Sequence, residues 1–245
     1  MKTPCSEFLA KVREIIARIE EEERGNIEKG AEFLARSIRE GGLIHVFGTG
    51  HSHIFAEEAF FRAGGLACIN PMLEPSLMLH TGAVKSSILE DRGGIAEVIF
   101  EHFGPKPPDS LVLFSNSGVN SVPVEMAMLA KKRGISVIGV GSKRYIEYLK
   151  KEKNRESIME YCDVFIDNKG EIGDACVELG GSMQRIGPTS TIAGALILHL
   201  LVIETALRLA EEGFPPPIFV SGNLPGGKEA NRKLIEQYRQ FIRML

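Results

Sequence analysis

Two short segments place hydroxyl groups and glycines where they could hold an anion. One is VFGTGHSH, residues 46–53; the other is LFSNSGVNS, residues 113–121. Each follows an apolar run and opens onto a helical pattern, so each offers hydroxyls and free backbone N–H groups at a helix start. In the first, Gly48 and Gly50 let the backbone turn tightly and approach a ligand, and Ser52 falls in the first helical turn. In the second, Ser115, Ser117 and Ser121 are hydroxyl donors, Asn120 is an amide donor and Gly118 admits an unusual backbone angle. Neutral donors around one helix end suit a tetrahedral dianion. Serine, asparagine and glycine also dominate ordinary turns. Three serines and an asparagine directly after an apolar strand weigh against that plainer explanation. The expected ligand is a small phosphorylated metabolite, held in one crevice between the two loops.

Other residues could act beside these loops. PTST at residues 188–191 puts Thr189 and Ser190 at a helix start, where capping explains them as readily as ligand contact. His199 sits in the most apolar helical stretch, just over two turns beyond PTST, and a neutral histidine near a sugar is a sound acid–base group. Glu57 and Glu58 follow the first loop, and Glu58 is favoured to face the crevice. Glu74 and His80 are reserve candidates, with Glu74 read as a surface residue. DNKGEIGDA (residues 167–175, with Asp167, Asn168, Glu171 and Asp174) and SGNLPGGK (residues 221–228, with Ser221, Asn223 and Lys228) could line the pocket, although turn chemistry accounts for both. A dinucleotide fingerprint is disfavoured, because His53 stands where its third glycine belongs and Asn70 ends the next strand in place of an acid.

The elements that must position these residues follow from periodicity. Residues 6–23 and 26–40 carry apolar residues at helical spacing and form an N-terminal helical arm, residues 1–42. From Leu43, apolar runs at 43–47, 66–70, 110–114, 135–140 and 162–167 alternate with helical stretches at 52–63, 86–102, 121–133 and 143–160. That alternation predicts a five-stranded parallel sheet covered on both faces, a three-layer α/β/α sandwich spanning residues 43–245 in one unit with the arm. Ligands of such sheets bind at the carboxyl ends of the strands. A Gly-rich polar segment, 168–187, leads to a long helix near 189–212, and a last helix runs to Leu245.

The 245 residues carry a net charge of −3, so there is no basic field for nucleic acid. The four cysteines lack C-x-x-C spacing and read as reduced thiols. The N-terminus has no signal-peptide pattern, and the most apolar run, residues 192–203, is short for a bilayer. A cytoplasmic chain without membrane or nucleic-acid partners is expected.

Taken together, these motifs resemble the sugar isomerase (SIS) domain family, closest in layout to sedoheptulose 7-phosphate isomerases. Gly48, Gly50 and Ser52 match its first loop, G-x-G-x-S; Ser115, Ser117, Gly118, Asn120 and Ser121 match its phosphate loop; PTST is similar to its third ligand segment. The resemblance covers about residues 30–212, with the N-terminal helices matching as well. It implies a flavodoxin-like fold, a sugar-phosphate ligand, a homodimer or homotetramer, and His199 at the place of a histidine that serves chemistry. Two departures stand out. Glu58 and Arg62 occupy the places of a metal-binding His–Glu pair, and Val119 replaces the glutamate of an S-G-E loop. Neither a metal nor another cofactor is therefore expected. An aldose–ketose isomerase would use Glu58 to move a proton through an enediol, with His199 helping to open the ring or moving protons between oxygens. The alternative is a non-catalytic phosphosugar sensor.

Overall fold

Five apolar runs become the strands of one sheet in the computed structural model, which describes residues 3–180 and 184–245. They are β1 (Ile44–Gly48), β2 (Ile69–Pro71), β3 (Ser110–Phe114), β4 (Ser136–Gly141) and β5 (Val164–Asp167). All pair in parallel, in the order β2-β1-β3-β4-β5. Alternate strand residues feed two cores, as the pleat requires. Val112 and Phe114 of β3 join one cluster, while Leu111 and Leu113 join the other. The first cluster is covered by α1 (Pro4–Glu22), α2 (Arg24–Arg39), α3 (Ile54–Ala59) and α8 (Ser190–Glu211). The second is covered by α5 (Ile95–Phe103), α6 (Ser121–Lys132) and α7 (Lys143–Lys153). Ile15, Ile19, Ile27 and Leu34 of the N-terminal arm share a core with the strands. Burying each such side chain contributes about 1.5–3 kcal/mol.

Several elements differ from the sequence expectation, each for a local reason. The run 66–70 pairs as a strand only from Ile69. Before it, Gly64 and Ala67 donate backbone hydrogen bonds to Phe219 and Pro217, so the C-terminal segment takes that edge. The helix expected over 52–63 begins as a 3-10 turn, Gly50–His53, and α3 ends at Ala59, where Phe60 turns extended. Gly93 and Gly94 split the stretch 86–102 into α4 (Ala83–Glu90) and α5. Left-handed Asn154 ends α7 well short of residue 160. The polar segment 168–187 holds an antiparallel hairpin, β6 (Ala175–Glu178) and β7 (Arg185–Pro188). The last helix, α9 (Gly227–Tyr238), stops before the terminus. The apolar run 192–203 belongs to a 22-residue helix, α8, long and apolar enough to cross a membrane by length and composition. Its Ala193, Gly194, Ile197, Leu198 and Leu201 are nonetheless core residues, and it packs along α2.

Polar groups also lock the layers. Buried His45 places Nε2 3.0 Å from Asp109 Oδ2, while Asn70 Nδ2 lies 3.2 Å from its Nδ1. Asp109 also accepts from the backbone N–H of Leu43 and Lys106. Burial pushes the Asp109 carboxyl up, but these three donors outweigh it and hold it below the ordinary aspartate value. A carboxyl held low stabilises the folded chain above the unfolded pKa of ~3.9 and loses that contribution as pH falls through the folded value. Asp109→Asn should therefore lower stability by about 1–3 kcal/mol at neutral pH. Melting curves should show the gap to wild type closing below about pH 4; a gap unchanged into strong acid would contradict this assignment.

Candidate functional site

β1 and β3 are neighbours, and the strand order reverses between them, the point where open parallel sheets bind ligands. Both glycine/serine segments emerge there. After β1, Thr49 is extended and the chain folds back so closely that a Cβ on Gly48 would lie 2.3 Å from the Ser52 carbonyl oxygen. Only glycine permits that approach. Ser52 N donates to Thr49 O at 2.9 Å, and the Ser52 hydroxyl makes no hydrogen bond among the described residues. After β3, the buried Ser115 hydroxyl accepts from Gly118 N at 3.1 Å. That closes a small turn, which needs Gly118 in the left-handed region at φ +62°. The Ser117 hydroxyl has no hydrogen bond among the described residues.

The two loops share a cavity of about 240 Å³. Thr49, Gly50, His51 and Ser52 line one side, and Ser115, Asn116 and Ser117 the other. Tyr145 of α7 and residues of α4, among them Ser87 and Glu90, complete it. Among the described residues no lysine or arginine lines it, so the grip on an anion would come from neutral donors and His51. Glu90 is its one carboxylate among the described residues. Asn120 Nδ2 donates to Glu90 Oε1, while Oε2 lies 3.7 Å from where a Gly50 Cβ would be. The carboxylate thus spans the mouth between the two loops.

The SIS-domain model matches residues 7–142, more than half of the chain. The chain belongs to the SIS-domain family. It is 38% identical to a UPF0309 protein of Thermoanaerobacter pseudethanolicus, over 98% of this chain and 99% of that one. A UPF0309 protein of Halalkalibacterium halodurans is 39% identical over 97% and 96%. Among solved structures, a phosphoheptose isomerase from Francisella tularensis aligns with TM-score 0.50 and 16% identity, covering 81% of this chain and 94% of that one. The Vibrio vulnificus NanR protein complexed with ManNAc-6P aligns with TM-score 0.50 and 13% identity, over 97% and 69%. These two likenesses concern the SIS fold.

Within this SIS domain, Gly50, Ser52, Ser115 and Ser117 line the cavity, and Gly48 and Gly118 shape its two turns. The remaining predicted site residues lie outside that lining, although Ser190 shares a smaller adjoining cavity with Ser52, Ser115 and Asn116. Asn120 is the N-cap of α6 and holds Glu90; the Ser121 hydroxyl reaches Asp91. Both are turned toward α4 rather than into the cavity. Thr189 and Ser190 begin α8, but Asp174 accepts from both backbone N–H groups, at 3.0 and 2.8 Å, and from the Ser190 hydroxyl. An internal carboxylate thus takes the helix end that a ligand would use, and Thr189 Oγ1 is buried without a partner.

Glu58 and His199 do meet, with Nε2 3.0 Å from Oε1, and Arg62 pairs with the same carboxylate. Burial first, then Arg62, lowers the His199 pKa, favouring the neutral ring. Neither lines the cavity. His199 lies nine residues into α8, about 13 Å along its axis at a rise of ~1.5 Å per residue.

The reserve residues divide similarly. Glu74 caps the turn Pro75–Leu77, and His80 sits edge-on to His53 with ring centres 6.4 Å apart. Asn168 donates to Asn116 behind the phosphate loop, Asp167 and Glu171 pair with Lys169 and Arg144, and Ser221 and Lys228 line a separate cavity near Phe61. No group of three or more metal-ligating side chains occurs among the described residues. Sequence reasoning missed Glu90, His51 and Tyr145. The double glycine at 93–94 was a signal that α4 ends near Glu90.

Proposed function

We propose that the crevice binds a phosphorylated sugar, with the phosphate against Ser52, Ser115 and Ser117 and the sugar toward Tyr145 and Glu90. One observation carries this reading: two glycine-shaped turns with unpartnered hydroxyls open into one cavity at the reversal of the sheet. The fold neighbours support it, since one is called a phosphoheptose isomerase and the other holds ManNAc-6P. The reaction that fits is aldose–ketose isomerisation through an enediol. Phosphate binding holds the sugar chain in place, and its binding energy orients the carbonyl end for proton transfer. No cofactor is needed for it.

The second reading, a non-catalytic sensor, is favoured by the position of Glu58 and His199 away from the cavity. Self-association into a homodimer or homotetramer is part of the proposal. Its support is the apolar stripe Ile192, Ile203 and Leu207, exposed along one side of α8.

Thermal shift against hexose, heptose and amino-sugar phosphates should raise the melting temperature for some member, because a ligand stabilises the state it binds. Ser117→Ala removes a hydrogen bond to a charged group, about 1.5–3 kcal/mol, and should weaken affinity roughly ten- to hundred-fold. A panel without any response, or an unaltered Ser117→Ala variant, would remove the phosphate grip.

A further inference from the structure

We propose that Glu90 is the catalytic base of this crevice, an inference that rests on the sugar-phosphate isomerase reading above. Proton transfer next to a carbonyl needs a base within reach of the bound sugar. Glu58 is outside the cavity, and position 119 in the phosphate loop is a valine, buried in the core. Glu90 is the carboxylate that remains, and three observations make it more than a bystander.

First, it is placed. It ends the α4 segment that walls the cavity opposite the two loops. Second, it is oriented. Asn120 Nδ2 donates to Oε1, and Asn120 belongs to the phosphate loop and is the N-cap of α6. The base is therefore tied to the element that would fix the substrate's phosphate, which sets the distance between the two ends of the reaction. Third, it is available. Oε2 makes no hydrogen bond among the described residues and lies toward Gly50, where the missing side chain leaves room for a sugar carbon to approach. Among the described residues no cation stands in the lining and none pairs with that oxygen.

The step balances without any further reactant than water. Glu90 Oε2 takes the proton from the hydroxyl-bearing carbon beside the aldehyde of the open-chain sugar. The C–H electron pair becomes the carbon–carbon double bond, and the carbonyl oxygen takes a proton from water, giving the enediol. The second hydroxyl then releases its proton to water as its carbonyl forms. The former carbonyl carbon receives the proton back from Glu90, which returns to carboxylate.

The test incubates the full chain with the same hexose, heptose and amino-sugar phosphates in deuterated water and follows exchange at the carbon beside the carbonyl by NMR. Glu90→Gln keeps the shape and the acceptor for Asn120 but removes the basic oxygen. Exchange should fall at least ~100-fold, while the unliganded melting temperature and the ligand-induced shift stay close to wild type. Glu90→Asp, which withdraws the carboxylate by one methylene, should retain part of the exchange. Wild-type exchange in Glu90→Gln would overturn the assignment and leave the isomerase reading standing. Loss of the ligand-induced shift in a Glu90→Gln variant that melts normally would make Glu90 a binding residue, and would also overturn it. Ligand-induced shifts without exchange in the wild type would end the isomerase reading and the base together.

Discussion

Gly118→Ala should lower the melting temperature by about 5–15 °C and abolish the thermal response to sugar phosphates. Two costs add at this position. A left-handed backbone costs a non-glycine residue about 1–2 kcal/mol, and Gly118 stands at φ +62°. A Cβ there would also lie 2.5 Å from Ile146 Cδ1. Forcing a methyl into a packed site costs about 1–3 kcal/mol more. At roughly 2–4 °C per kcal/mol for a chain of this size, the sum is large. The loop bears the damage, because Gly118 N is the donor that closes the turn on Ser115. Gly118→Asn is informative beside it. Asparagine tolerates the left-handed angle, yet its Cβ meets the same Ile146 atoms, so it should fail nearly as badly. A Gly118→Ala variant that melts and binds like wild type would show that the turn is not what shapes the cavity.

Lys169→Met should destabilise the fold by about 3–5 kcal/mol, the usual result of stranding buried charge. The Lys169 side chain is 5% exposed and pairs with Glu23, with Glu22 at 3.0 Å and with Asp167 at 3.3 Å. It joins β5 to the junction of α1 and α2, elements far apart in sequence. Burial draws the ammonium pKa down, but the Glu23 and Glu22 carboxylates outweigh it and leave it raised. Methionine would leave Glu23, itself 6% exposed at its side chain, without its counter-ion. Denaturant unfolding gives the loss directly, and Glu23→Gln in the Lys169→Met background should recover part of it. The effect should depend only weakly on salt, since screening acts on exposed charges. A loss below about 1 kcal/mol would place this cluster with ordinary surface pairs.

The sheet was legible because parallel strands buried on both faces must be continuous apolar runs, and four of the five strands fall within a residue or two of those runs. The exception, 66–70, has its first half claimed by residues 217–219, a pairing from the far end of the chain. The hairpin β6–β7 was hidden because each of its strands is four residues long, too short to show a periodicity, with Glu178 and Arg185 opposite each other. Within the site, the two loops could be read because glycine and serine immediately after a strand have a local meaning. Asn120, Ser121, Thr189 and Ser190 were read from the same chemistry. There the decision fell to partners distant in sequence: Glu90, Asp91 and Asp174.

Sequence alone determined which segments form strands, the two turns that only glycine can make, and the hydroxyls those turns carry. These depend on neighbours a few residues apart, so local sterics and periodicity suffice. Tertiary structure decided which charged groups reach the cavity. It set Glu58 against His199 and Arg62 outside the lining, spent the start of α8 on Asp174, and brought Glu90 between loops that lie 40 and 30 residues away from it. A side chain's reach is a few ångströms, and only the packing of whole helices fixes where it ends.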